Sequence, residues 1–105
     1  MTRKELVEKI NSLELIQKEY PDEIEFPEEI QKVIDESIIV KYNLFTEEHR
    51  WYETSLWVYK YKDEYFGIRY VDKLYSEGSS IEDVYHTITA VLLKEKPSVT
   101  YEIEK

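Results

Sequence analysis

Apolar residues recur at helical spacing from the start of the chain. Leu6, Ile10, Leu13 and Ile16 share one stripe, with Val7 beside them. Thr2 and Glu5 have the spacing of a capping box, in which a hydroxyl and a carboxylate each satisfy a free backbone N–H. Glu5/Lys9 and Glu14/Lys18 are i,i+4 pairs in the favourable order. The pattern predicts a helix over 3–20, stopped by Pro21. Ile30, Val33 and Ile34 form a second, shorter stripe and predict a helix over 27–36. Pro27 suits its first turn, and Glu28 and Glu29 suit the positive end of its dipole.

Beyond Ser37 the period changes from helical to alternating. Strands are predicted over 38–43, 49–61, 64–71, 86–94 and 98–104. An even-length turn at Lys62-Asp63 puts Trp57, Tyr59 and Tyr61 on one face with Phe66, Ile68 and Tyr70, a nearly all-apolar core face. The other face, with Leu56, Val58, Lys60, Tyr65, Gly67, Arg69 and Val71, is mixed and expected to be partly wet. Ser76-Glu77-Gly78-Ser79-Ser80 is a turn cluster, followed by one helical turn with Ser80 and Asp83 as a cap pair. The predicted fold is α+β: two N-terminal helices packed on one face of a four- to five-stranded antiparallel sheet, in one domain over 1–105. The first helix is expected to cover the aromatic face of the hairpin.

Composition narrows the function classes. Cysteine is absent, which removes disulfide scaffolds, thiolate metal sites and thiol nucleophiles. Ten tyrosines, three phenylalanines and two tryptophans are too many for a disordered chain. The net charge is -9, so a nucleic-acid polyanion or an anionic membrane surface repels the domain. Direct nucleic-acid and membrane partners are therefore not expected. The absence of a long apolar run or a signal-like core points to the cytoplasm.

Little in the chain matches a reaction centre. The two histidines, His49 and His86, lie near Glu47, Glu48 and Asp83, half of a metal site at most. No nucleophile elbow and no Gly-rich phosphate cradle occurs. No catalytic residue, cofactor or metal is expected.

Two other features stand out. Glu19, Asp22, Glu23, Glu25, Glu28, Glu29, Asp35 and Glu36 form an acid run interrupted by one base, Lys32. Such a run is either a solvated helical face or a row of carboxylates that imitates phosphate spacing and occupies a basic groove. The tyrosines outnumber what the core of so small a domain can hold. Exposed ones offer rigid apolar area with a polar tip, as interface anchors do. The candidate partner-binding residues are Asp22, Glu23, Glu25, Glu28, Glu29, Tyr52, Tyr65, Tyr75 and Tyr85.

In His49-Arg50-Trp51-Tyr52, Val58-Tyr59-Lys60, Asp63-Glu64-Tyr65-Phe66-Gly67-Ile68-Arg69, Ser76-Glu77, Glu82-Asp83 and Pro97-Ser98-Val99-Thr100-Tyr101 the chain resembles small proteins encoded by phages and prophages of Gram-positive bacteria. These stretches span about half of the chain and contain no catalytic signature. The resemblance implies a context, in which small acidic phage proteins often inhibit host or defence machinery, CRISPR nucleases included. The leading expectation is a non-enzymatic inhibitor whose acidic, nucleic-acid-mimicking surface binds a basic protein or complex in the host cytoplasm. The alternatives are a nucleotide-signal binder using Arg50 or Arg69 as a phosphate clamp, a metal-assisted enzyme built on His49 or His86, and a phage structural or assembly component. A homodimer is compatible with all of them.

Overall fold

A computed structural model describes residues 1–75, 78–96 and 100–104. Helices α1 (Arg3–Leu13) and α2 (Glu28–Glu36) flank a 3-10 turn, Pro21–Glu23. Five strands follow: β1 (Ile38–Glu48), β2 (Tyr52–Tyr61), β3 (Glu64–Leu74), β4 (Thr89–Lys96) and β5 (Thr100–Ile103). A second 3-10 turn, Ile81–Val84, precedes β4. The strands form one antiparallel sheet in sequence order, β1-β2-β3-β4-β5. The expected α+β architecture, with helices packed on a sheet, is the observed one.

The hairpin alternation behaves as the pattern predicts. Trp57 pairs with Ile68, Tyr59 with Phe66 and Tyr61 with Glu64. Trp57, Tyr59, Tyr61, Phe66, Ile68 and Tyr70 are buried against Leu6, Ile10, Ile30 and Val33 of the helices. Tyr59 and Tyr70 share a hydroxyl–hydroxyl hydrogen bond of 2.8 Å within this core. Both turn residues, Lys62 and Asp63, have positive φ, 49° and 63°. That is the backbone of a two-residue turn whose twist matches the flanking strands.

The other sheet face differs from expectation, because it carries a second core. Leu44, Leu56, Val58, Leu93 and Tyr101 form a buried cluster that draws on both edge strands. A flat sheet could not bring β1 and β5 into one cluster; this one is curled. β1 supplies part of the bend through three register shifts against β2 and a positive φ of 48° at Phe45. Gly67 fits here because a Cβ would lie 2.8 Å from Leu56 Cγ.

Several boundaries also differ. β1 runs to Glu48 and β3 to Leu74, past the predicted 43 and 71, while β4 starts at Thr89 rather than 86. Residues 49–51, predicted as strand, form the β1–β2 turn, closed by the His49 N–H donating to the Tyr52 carbonyl at 2.8 Å. Residues 98 and 99 of the predicted last strand, and Ser76 and Glu77 of the turn cluster, lie outside the described residues. The Ser80/Asp83 cap is present as a capping box.

The largest difference is in α1, which ends at Leu13 instead of 20. Glu14 takes a left-handed conformation, and the chain then runs antiparallel to residues 86–88, just ahead of β4, through an isolated Ile16–Thr87 bridge. The Gln17 N–H donates to the His86 carbonyl at 2.8 Å, and the Ile88 N–H to the Leu15 carbonyl at 2.7 Å. Two side-chain amides complete the arrangement. Asn11 Nδ2 donates to the Ala90 carbonyl at 2.9 Å while Asn11 Oδ1 accepts from the Ala90 N–H at 2.7 Å. Fully buried Gln17 does the same to Val71, at 2.8 Å in both directions. Each amide imitates a strand neighbour where the real one has run out. α1 therefore lies nearest β4, while its Leu6, Val7 and Ile10 still pack in the cluster that holds the aromatic face of the hairpin.

Gln17→Ala strands a buried N–H and carbonyl of Val71, and is expected to cost about 3 kcal/mol of unfolding free energy. Urea titration reads it, and a loss under about 1 kcal/mol would show the amide to be dispensable. Gly67→Ala forces buried Leu56 aside and is expected to cost about 2 kcal/mol in the same assay. An unchanged midpoint would mean that the sheet yields there freely.

Candidate functional site

Pro21 starts the first 3-10 turn, so Asp22 and Glu23 follow on a tight bend. The chain then runs extended through Ile24 and Glu25 to buried Phe26, whose N–H donates to Gln31 Oε1 at 3.1 Å. Pro27 caps α2 without a side-chain acceptor, leaving Glu28 and Glu29 at the positive end of the helix. The apolar residues Phe26, Ile30 and Val33 are all buried, so they fix the backbone that carries the acids.

Asp22, Glu23, Glu25 and Glu28 are exposed and line one open groove of about 840 Å³, continued by Asp35 and Glu36. Lys32 is its single cation among the described residues. Among the described residues none of these four predicted acids has an ion-pair partner. Glu29 is set apart. It pairs with Lys9 of α1, and that hydrogen bond and charge hold its carboxyl below the usual carboxylate range.

The candidate tyrosines do not join the acids, for none of them lines the groove. Tyr65 is half-buried on the second sheet face, 5.1 Å from the Tyr101 ring, and its hydroxyl donates to Glu95 at 3.1 Å. Tyr52 is half-buried and stacked on His49 at 4.4 Å. Tyr75 and Tyr85 are exposed, and Tyr85 takes a left-handed φ of 57° at the end of the second 3-10 turn. The structure thus gathers the acids and disperses the tyrosines.

An exposed residue absent from the predicted set is Trp51. It stands on the β1–β2 turn with the Arg50 guanidinium 4.7 Å over its ring. It lines a cleft of about 370 Å³ with Tyr52, Leu74 and Val84. Reading 49–61 as one strand hid it, because no glycine, proline or asparagine marks the turn.

The other chemical candidates are occupied structurally. Arg69 donates to the Phe45 carbonyl at 3.2 Å, and Asp83 Oδ2 accepts from the Ser80 N–H at 3.0 Å. His86 shares a 3.1 Å hydrogen bond between Nε2 and the Arg69 carbonyl, and exposed His49 sits 3.9 Å from Glu47. No three histidine or carboxylate side chains converge as metal ligands among the described residues. Among those residues, too, no helix is long and apolar enough to cross a membrane.

Burial lowers the His86 pKa from the usual 6.5, the Arg69 carbonyl opposing it only in part. The unfolded chain therefore takes up this proton at a higher pH than the folded one. Stability should fall as pH drops below about 6.5, until the folded imidazole is protonated too. His86→Gln is expected to flatten the melting temperature between about pH 7 and pH 5 relative to the parent. An unaltered slope would mean that other groups govern this window.

No protein-family model, no curated protein and no solved structure matches this chain.

Proposed function

We propose that this chain is a non-enzymatic inhibitor that binds a basic protein surface built to hold nucleic acid. Its groove carboxylates would stand where phosphates stand. The observation that carries this reading is the alignment of exposed Asp22, Glu23, Glu25 and Glu28 along one groove without ion-pair partners among the described residues. A solvated face needs no such concentration, and unneutralised like charges repel at a cost that a cationic partner removes. The buried anchors Phe26, Ile30 and Val33 hold the row before binding, which limits the ordering entropy of association.

The resemblance to phage-encoded proteins supports a host-directed role. The target class is then a cytoplasmic complex that handles nucleic acid, defence nucleases of the CRISPR type among them. The protein needs no catalytic group, cofactor or metal for this role.

The chain, immobilised, is expected to retain a nucleic-acid-binding protein from host lysate at low salt. Duplex DNA should release that protein, and high salt should weaken its retention steeply. The triple reversal Asp22→Lys, Glu25→Lys and Glu28→Lys should lower retention by about tenfold or more, while Glu29→Gln should leave it nearly unchanged. Retention that survives the triple reversal, or that DNA does not compete, would overturn the mimicry.

A further inference from the structure

Between the end of α1 and the Pro21–Glu23 turn the chain offers an unfinished sheet edge. Residues 15–17 run antiparallel to residues 86–88, and the two hydrogen bonds that join them use the Leu15 carbonyl and the Gln17 N–H. The peptide bonds of this stretch are trans. A trans peptide points its N–H opposite to its C=O, so the N–H and carbonyl of Ile16 both face away from residues 86–88. Among the described residues neither group makes a backbone hydrogen bond, and neither does the Lys18 N–H. The side-chain bonds of Gln17, to Glu19 and Val71, do not involve them. The Ile16 side chain beside them is 41% exposed. Free backbone donors and acceptors next to an exposed apolar residue are what an added strand uses.

Alongside this edge lies a groove of about 550 Å³. Leu15, Ile16, Ile24 and Ile88 are its apolar lining. Glu19, Glu23 and Glu25 line it too, all exposed, against one cation among the described residues, Lys18. None of these four charged side chains has an ion-pair partner among the described residues. Glu23, Ile24 and Glu25 also line the acidic groove, so the two grooves meet along 23–25. Glu19 lines only the groove at the edge, and Asp22 and Glu28 line only the other.

We propose that an extended basic segment of a protein partner adds to this edge. It hydrogen-bonds Ile16 and Lys18, lays an apolar side chain on Ile16 and Ile24, and sets its Lys or Arg against Glu19, Glu23 and Glu25. The proposal rests on the reading of the partner as a basic protein and names the part of that partner which is bound. Charge selects this occupant. A second copy of the chain would bring the same three acids against its own, and nucleic acid or an acidic segment is repelled by them. The acidic groove supplies attraction that any cationic surface satisfies. The edge selects among such surfaces, because cations carried on a helix leave the Ile16 groups unpaired.

The test uses the full chain and the probe peptide acetyl-KVKVK-amide, read by hydrogen exchange of the backbone amides. Saturating peptide should slow exchange at Ile16 and Lys18 about tenfold. The same peptide N-methylated at every residue keeps its charge and loses its donors, so it should bind about tenfold more weakly. The control acetyl-EVEVE-amide should not bind. Glu19→Lys alters an exposed side chain, so it should keep the native amide spectrum while weakening the peptide about tenfold. The proposal is overturned if exchange at Ile16 and Lys18 is unmoved, or if the N-methylated peptide binds as well as its parent. It is equally overturned if Glu19→Lys leaves binding unchanged, or if no peptide binds. The double reversal Asp22→Lys and Glu28→Lys alters only the acidic groove, and should leave the slowed exchange at Ile16 in place. Partner retention lost in that variant, with Ile16 exchange unmoved in the parent, sinks the edge alone. Slowed exchange at Ile16, with retention indifferent to the double reversal, sinks the groove reading alone.

Discussion

Two side-chain amides stand in for missing strands, and the course of the N-terminal half depends on them. The β3–β4 ladder ends at Arg69 and Thr89, and β5 covers only Leu93–Lys96 of β4. Staggered ladders of this kind leave backbone N–H and carbonyl groups inside the molecule without neighbours, a large cost unless something pairs with them. Asn11 closes Ala90, and Gln17 closes Val71. An amide presents one donor and one acceptor side by side, as a strand does, so it can continue a ladder for one residue. Both residues must therefore reach the sheet at once, which helix α1 alone cannot manage if it runs straight on. The helix breaks at Glu14 and the chain drops alongside residues 86–88. That break places the Pro21–Glu23 turn, and with it the start of the acidic row.

Arg3 fixes the other end of α1. Its guanidinium donates to the carbonyls of Tyr65 at 2.7 Å and Leu93 at 3.0 Å and lies 3.0 Å from Glu104. The helix is thus tied to β3 and β4 at its first turn and to β4 at Asn11. Its buried stripe is short, Leu6, Val7 and Ile10, while Leu13 and Ile16 are exposed.

These facts mark where the sequence was readable. Alternation in 57–61 and 66–70 reported the main core face, because successive side chains of a strand point to opposite faces and the aromatic ones all fall on one. The Thr2/Glu5 and Ser80/Asp83 boxes were readable since capping is local chemistry. The end of α1 was hidden, because the helical period continues to Ile16 and long-range bonds from Gln17 override it. The second core was hidden as well, since it exists only when register shifts curl the sheet. Of the acidic row, its gathering was legible as a run of letters. The diversion of Glu29 to Lys9, twenty residues earlier in the chain, was not. Trp51 escaped notice because a turn without glycine, proline or asparagine looks like the strand on either side of it.

The position of the charge follows a physical division of labour. Glu28 and Glu29 have a local reason to exist, for a helix N-terminus without a side-chain cap favours negative groups. Asp22 and Glu23 sit in the 3-10 turn and Glu25 in extended chain, so the α2 dipole falls off before it reaches them. Their tolerance comes from exposure, since water screens carboxylates that a core could not hold. A fold could meet that condition by scattering them over its surface. Here buried Phe26, Ile30 and Val33 pin the backbone beside Glu25 and Glu28, which keeps those two on the groove. Carboxylates held close in this way would favour a cationic surface over a neutral one. Carboxylates on flexible chain would relax away instead, and would give up that gain.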